Sequence, residues 1–214
     1  MTPPRTSVLL IRHGETVWNG EGRIQGHLDS ALSATGRAQA RALGARLAAE
    51  GIDFIASSDL GRALATAAAI ADVTDLEVVV DSRLRERSFG ALEGMTWPEI
   101  ARAFPDDYAH LSQRDPAHRP PGGESAIEFR DRVFGCVTEL AQGAPGARIA
   151  IVVHGGVLSM FYRHARGLGL DAPRDYTLAN ASINRFALTS DGWTLESWAE
   201  VGHLEGVVQD DIEP

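Results

Sequence analysis

The chain has 214 residues, 44% of them hydrophobic and 23% charged, and a formal net charge of −9. That length and composition suit one globular domain with a sizeable core, and the acidic balance excludes a general affinity for nucleic acid or anionic membrane. The single Cys136 excludes an intrachain disulfide framework, and no apolar run approaches the length of a membrane span.

Val8 to Ile11 is an unbroken apolar run that reads as a buried strand and stops abruptly at Arg12-His13-Gly14. Glu21 to Ser30 is a polar loop with Gln25 and Gly26. Ser33 reads as an N-cap before an alanine- and leucine-rich helical stretch, Gln39 to Glu50, that Gly51 closes as a C-cap. Asp53 to Ser57 is a second strand. Ser58-Asp59 reads as the cap of a helix from about Leu60 to Ala71, and Glu77 to Val80 is a third strand. This alternation predicts a parallel sheet with right-handed crossovers.

Ser82 to Pro121 is too long for a plain connection and reads as an insertion over the sheet, with a short helix opening near Trp97-Pro98. Glu124 to Ala141 is an amphipathic helix whose buried side is read as Ile127, Phe129, Val133, Phe134, Val137 and Leu140. Arg148 to Val153 is another buried strand, ending at His154-Gly155-Gly156 before a further helix to about Arg166. Ser182 to Thr189 and Trp193 to Ala199 read as a closing hairpin packed by Trp193 and Trp198, and the tail from Glu205 is acidic and reads as loose. Cys136 reads as core packing, and His110 and His118 as solvated residues of the insertion.

Two strands thus end in His-Gly. Ligands of open α/β sheets bind beyond the carboxyl ends of strands, so both imidazoles are expected to face one crevice. The helix after Gly156 would aim free N–H groups there, which suits an anion. Arg62 lies in the first turn of its helix, where a cation opposes the helix dipole unless an anion is near. Glu86, in Leu84-Arg85-Glu86-Arg87, supplies a carboxylate after the third strand.

Arg12-His13-Gly14-Glu15-Thr16-Val17-Trp18-Asn19 after an apolar strand resembles the signature of the histidine phosphatase superfamily, the phosphoglycerate mutase-like family. Arg62, Glu86 and His154 stand in the family's order. The resemblance covers most of the chain. It implies an α/β fold, a three-layer α/β/α sandwich with a mostly parallel sheet, in a single domain over 1–214 with an insertion at about 82–121 over the active site. It implies that His13 accepts the phosphoryl group and Glu86 is the proton-donating acid. Arg12, Asn19, Arg62 and His154 would grip the phosphate, with Gln25, Gly26 and Gly155 contributing.

The residue types fit that chemistry. An imidazole attacks phosphorus only when neutral, with its other nitrogen held by a carbonyl. Arginines and a second histidine spread the charge of the transferring group. No carboxylate cluster has metal-ligand spacing, so no metal is expected. The implied function is hydrolysis of a small phosphorylated metabolite through phosphohistidine, with no cofactor. The alternative is a phosphoglycerate mutase dependent on 2,3-bisphosphoglycerate. Mutases of the family usually carry a longer insertion. A non-catalytic phosphate-binding module is a third reading, against which an intact His13 and Glu86 argue. A small-molecule substrate, no nucleic acid, no membrane, and a monomer or homodimer are the expected partners. The opening Met1-Thr2-Pro3-Pro4-Arg5 carries no apolar signal core, which leads to the expectation of a cytoplasmic protein.

Overall fold

The computed structural model describes residues 5–207, so most of the acidic tail lies outside the described residues. In chain order it places β1 (Thr6–Arg12), α1 (Val17–Gly20), α2 (Ala34–Leu47), β2 (Phe54–Ser57), α3 (Gly61–Thr74) and β3 (Val78–Val80). The insertion follows, with α4 (Trp97–Ala103) and α5 (Pro105–Ser112). Then come α6 (Ala126–Gly143), β4 (Arg148–Val153), α7 (Gly155–Ala165), β5 (Ile183–Thr189) and β6 (Gly192–Glu200).

The six strands form one sheet in the order β3-β2-β4-β1-β5-β6. β3, β2, β4 and β1 run parallel, and β5 runs against both its neighbours. The expected mostly parallel sheet is therefore present. Its apolar runs are continuous because helices cover both faces. Val8 and Leu10 of β1 pack with α6 and α7 through Phe129, Val133, Val157 and Phe161. Leu9 and Ile11 point the other way, onto Leu43, Leu47, Ala67 and Ile70 of α2 and α3. The period-two alternation of one strand thus produces the three layers.

β1 and β4 are in register, with Arg12 opposite Val153. The next residue on each strand is a histidine, so His13 and His154 emerge side by side. Cys136 is fully buried in the layer of α6, as expected.

Several boundaries differ from the sequence reading. α2 starts at Ala34, capped by Ser33, and ends at Leu47 with Ala48 as its C-cap, not at Gly51. Gly51 does take a left-handed φ of +64°, but in the turn that leads towards β2. Leu60, not Ser58 or Asp59, is the N-cap position of α3 and offers no side-chain acceptor. Asp29 of a distant loop accepts from the Arg62 N–H instead, at 3.3 Å. Ile127 is 37% exposed although read as core, because the buried stripe of α6 runs through Phe129, Val133, Cys136 and Val137. His110 and His118 are not simply solvated. Their rings stack at 4.4 Å, and each contacts a carboxylate, Asp115 and Asp107 respectively, at 2.9 Å. Trp193 and Trp198 pack as expected: Trp193 lies edge-on to Phe161, and Trp198 tilts against Tyr162.

Candidate active site

The carboxyl edge of β1, β2 and β4 forms the floor of a cavity of about 550 Å³. Arg12, His13, Asn19, Gln25, Arg62 and Glu86 all line it, as do Gly26 and Gly155. His154 is fully buried, its ring centroid 5.2 Å from that of His13. The topology therefore gathers every residue named from the sequence into one place.

His13 is fixed by its backbone and its ring. Its N–H donates to the Val153 carbonyl at 3.0 Å, and its own carbonyl accepts from Ala181 N–H and from the Asn180 side chain. Its Nδ1 lies 2.8 Å from the Gly14 carbonyl. A carbonyl can only accept, so Nδ1 carries the proton and the lone pair is left on Nε2. Burial is the main cause that holds the His13 pKa well below its ordinary value, and the Arg62 and Arg12 charges lower it further. The ring is therefore neutral at physiological pH. His154 is depressed in the same direction, first by burial and then by Arg62, His13 and Arg12.

The turn after His13 is pinned by two helices. Gly14 N–H donates to Thr66 Oγ1 of α3 at 3.0 Å, and Glu15 N–H to Gln39 Oε1 of α2 at 2.9 Å. A Cβ on Gly14 would sit 2.5 Å from the Gly36 carbonyl oxygen, so α2 can approach this closely only because both residues are glycine.

Arg62 is 1% exposed. Its Nη1 donates to Asp29 Oδ1 at 3.0 Å and to the Leu28 carbonyl at 2.9 Å, and its Nη2 to the Gly26 carbonyl at 2.8 Å. The anion that compensates a cation at the start of α3 is thus Asp29. Gly26, with a φ of +54°, works through its carbonyl, which holds the guanidinium. Arg62 Nε and both ring nitrogens of His154 are buried with no hydrogen-bond partner among the described residues. Orphaned polar groups of this kind are costly unless a ligand satisfies them. Arg12 reaches the Leu178 carbonyl through Nη1.

Backbone N–H groups hold the Glu86 carboxylate: Oε1 accepts from Arg87 N–H and Oε2 from Gly156 N–H, each at 2.8 Å. The first turn of α7 therefore commits the Gly156 N–H to Glu86, where the sequence reading left that helix start free for an anion. A Cβ on Gly156 would lie 2.9 Å from Glu86 Cδ, so glycine is what admits the carboxyl group. His27 Nε2 lies 2.9 Å from the Glu86 carbonyl and steadies the same residue from the other side. Asn19 Oδ1 accepts from Thr16 N–H at 3.0 Å in the capping box of α1, which aims the amide at the cavity.

Sequence reading missed Asn180, Asp29, Thr66 and His27. Asn180 carried a usable signal. β5 is antiparallel, so it begins at the edge where the parallel strands end, and residues just before it fall at the ligand edge. The others act across 33 to 59 positions of sequence, for which a local pattern has no counterpart.

A cavity with a neutral, oriented imidazole, two guanidiniums and a carboxyl group can bind an oxyanion, attack it and protonate a leaving group. Comparison with known proteins agrees. The family model of the histidine phosphatase superfamily (branch 1) matches residues 8–201. The chain is 40% identical to phosphoglycerate mutase-like protein 4 of Arabidopsis thaliana, over 92% of this chain and 86% of that one. It is 38% identical to the metal-independent phosphoserine phosphatase of the same plant, over 94% and 84%. The solved structure of YhfR from Bacillus stearothermophilus superposes with a TM-score of 0.87 at 32% identity, covering 93% of this chain and 99% of that one.

Proposed function

Because this chain belongs to the histidine phosphatase superfamily, we propose that it hydrolyses a small phosphorylated metabolite through a phosphohistidine at His13. The Nε2 lone pair attacks phosphorus in line with the ester oxygen. The P–N bond forms as the P–O bond breaks, and the electron pair leaves on the alkoxide. Glu86 as the acid gives that oxygen its proton. Arg12, Arg62 and His154 face the charge on the equatorial oxygens, with Asn19, Gln25 and the Gly155 turn around them. Water then attacks the phosphohistidine: the new P–O bond forms as the P–N bond breaks, its electron pair returns to Nε2, Glu86 as carboxylate takes the water's proton, and inorganic phosphate leaves.

The observation that carries this reading is His13 itself: neutral, locked by Gly14, and flanked by two guanidiniums and a second imidazole. Arginines supply here the positive charge that a divalent ion supplies in metal-dependent phosphatases. Among the described residues, no group of three or more His, Cys, Asp or Glu could hold a metal ion. Hydrolysis is favoured over mutase action by the insertion. Its two α-helices are short, and α5 buries none of its residues, so it offers little shelter for a phosphohistidine against water.

The test is chemical. Quenching without acid during turnover of a slow substrate traps acid-labile, base-stable phosphate on His13, and His13→Ala loses both the label and turnover while its fold remains. Near-normal turnover of His13→Ala overturns the mechanism. Glu86→Gln in single-turnover phosphorylation loses about 10²- to 10⁴-fold on an alkyl phosphate and much less on p-nitrophenyl phosphate. Equal losses on both remove Glu86 as the acid.

A further inference from the structure

The backbone around His13 is held on every side, and one of those holds runs through a strained turn. The His13 N–H is taken by Val153, and the N–H groups of Gly14 and Glu15 by Thr66 and Gln39. The His13 carbonyl is held from the turn before β5, by Ala181 N–H at 3.2 Å and by Asn180 Nδ2 at 3.0 Å. The same turn reaches two more residues of the site. Asn180 Nδ2 lies 3.4 Å from Asn19 Oδ1, and the Leu178 carbonyl accepts from the Arg12 guanidinium.

Ala181 occupies its place with a φ of +53°, the left-handed region in which a Cβ is disfavoured, and it is fully buried. A residue stays in that region only where its surroundings over-determine it. Here both of its backbone polar groups are committed. The N–H goes to His13, and the carbonyl accepts from His203 Nε2 at 3.0 Å.

His203 stands 22 positions further along, in a single helical turn, Gly202–Leu204, that follows β6. Leu204 anchors this turn: it is 1% exposed and belongs to the apolar layer of Leu9, Ile11, Leu43 and Leu47. The His203 ring is not needed for that packing. A carbonyl only accepts, so Nε2 bears a proton in the neutral and the charged ring alike, and the hold on Ala181 survives titration.

We propose that His203 is a positioning residue for the nucleophile. By holding the Ala181 carbonyl it locks the left-handed turn that fixes the His13 carbonyl, and with it the line along which Nε2 attacks. The inference rests on the phosphatase reading and adds to it a residue that does not line the cavity.

In-line attack tolerates little error, and a misplacement of about 1 Å costs about a hundredfold. His203→Ala removes the donor and leaves Leu204 in place, so the fold persists while the turn relaxes. Single-turnover phosphorylation of His13 then slows about ten- to a hundredfold. The factor is the same for an alkyl phosphate and for p-nitrophenyl phosphate, because alignment of the nucleophile serves every leaving group, whereas loss of an acid does not. His203→Gln, whose amide N–H can reach the same carbonyl, recovers part of the rate. A second readout needs no turnover. Proton–nitrogen correlation NMR of the labelled histidine rings, with His13→Ala to assign the His13 signals, follows the nucleophile directly. Those signals move in His203→Ala and return towards their native positions in His203→Gln.

A phosphorylation rate of His203→Ala within about threefold of native overturns the proposal, since even a fraction of the misalignment would exceed it. So does a larger loss with the His13 signals unmoved, which is what general destabilisation produces. A loss that His203→Gln leaves complete overturns it as well, because the donated hydrogen bond is then not what matters. The two readings fail separately. If the native protein is phosphorylated by neither ester, the phosphatase reading fails, and the His13 signals alone then decide whether His203 holds the ring.

Discussion

Gly156→Ala should separate stability from activity. The new Cβ would lie 2.9 Å from Glu86 Cδ, inside any real contact distance, and 3.1 Å from Phe129 Cε1. Glu86 is the far end of a flexible side chain, so the carboxyl group swings away and gives up its bond from the Gly156 N–H. That bond is worth about 0.5–1.5 kcal/mol. Alanine in place of glycine at a helical position returns up to about 1 kcal/mol. The two nearly cancel, so the melting temperature shifts by no more than about 4 °C for a domain of this size. Activity has no such compensation. A displaced acid costs an alkyl phosphate about a hundredfold in the phosphorylation step, or about 2.7 kcal/mol. The assay is single-turnover phosphorylation with an alkyl phosphate and with p-nitrophenyl phosphate, beside a thermal melt. Gly155→Ala is the comparison: its Cβ meets Arg12 Nε at an ordinary 3.5 Å, so its loss is smaller. Alkyl-phosphate turnover of Gly156→Ala within about threefold of native would refute the placement of Glu86 as the acid.

The unliganded protein should lose stability in mild acid through His13 and His154. Both pKa values are depressed by burial and by the arginines, so below an unfolded value of about 6.5 the unfolded chain binds protons that the folded one refuses. Stability is therefore full above that pH and falls below it; the slope of melting temperature between about pH 7.5 and 5.5, a range above ordinary carboxylates, should shrink in His154→Gln. An unchanged slope would place the proton uptake elsewhere. Activity should survive EDTA, and orthovanadate should compete with substrate by occupying the site of the transferring group; a metal requirement that does not trace to the substrate would count against arginine as the source of charge.

The floor of the site was readable because it lies where buried strands stop. A strand covered on both faces reads as an apolar run, and the polar residues that end the run mark the ligand edge. Val8 to Ile11 before Arg12-His13-Gly14, and Ile149 to Val153 before His154-Gly155-Gly156, are such breaks. The helix caps at Ser33 and the hairpin of β5 and β6 were readable for the same local reason.

What surrounds that floor depended on approach from far along the chain. Asp29 caps α3 and pairs with Arg62, and Glu93 accepts from the N–H groups of Leu28 and Phe89, tying two loops of the cavity together. His110 and His118 meet across Asp107 and Asp115 in a segment with no sequence periodicity. Such contacts are chosen by which loops pack together, not by any local pattern. The sequence by itself determined the layered α/β sheet, the two strand-end histidines and the chemistry of the floor, because periodicity and strand breaks are local properties. Only the tertiary structure decided which backbone groups hold Glu86 and what neutralises Arg62, because each depends on loops brought together when the sheet closes.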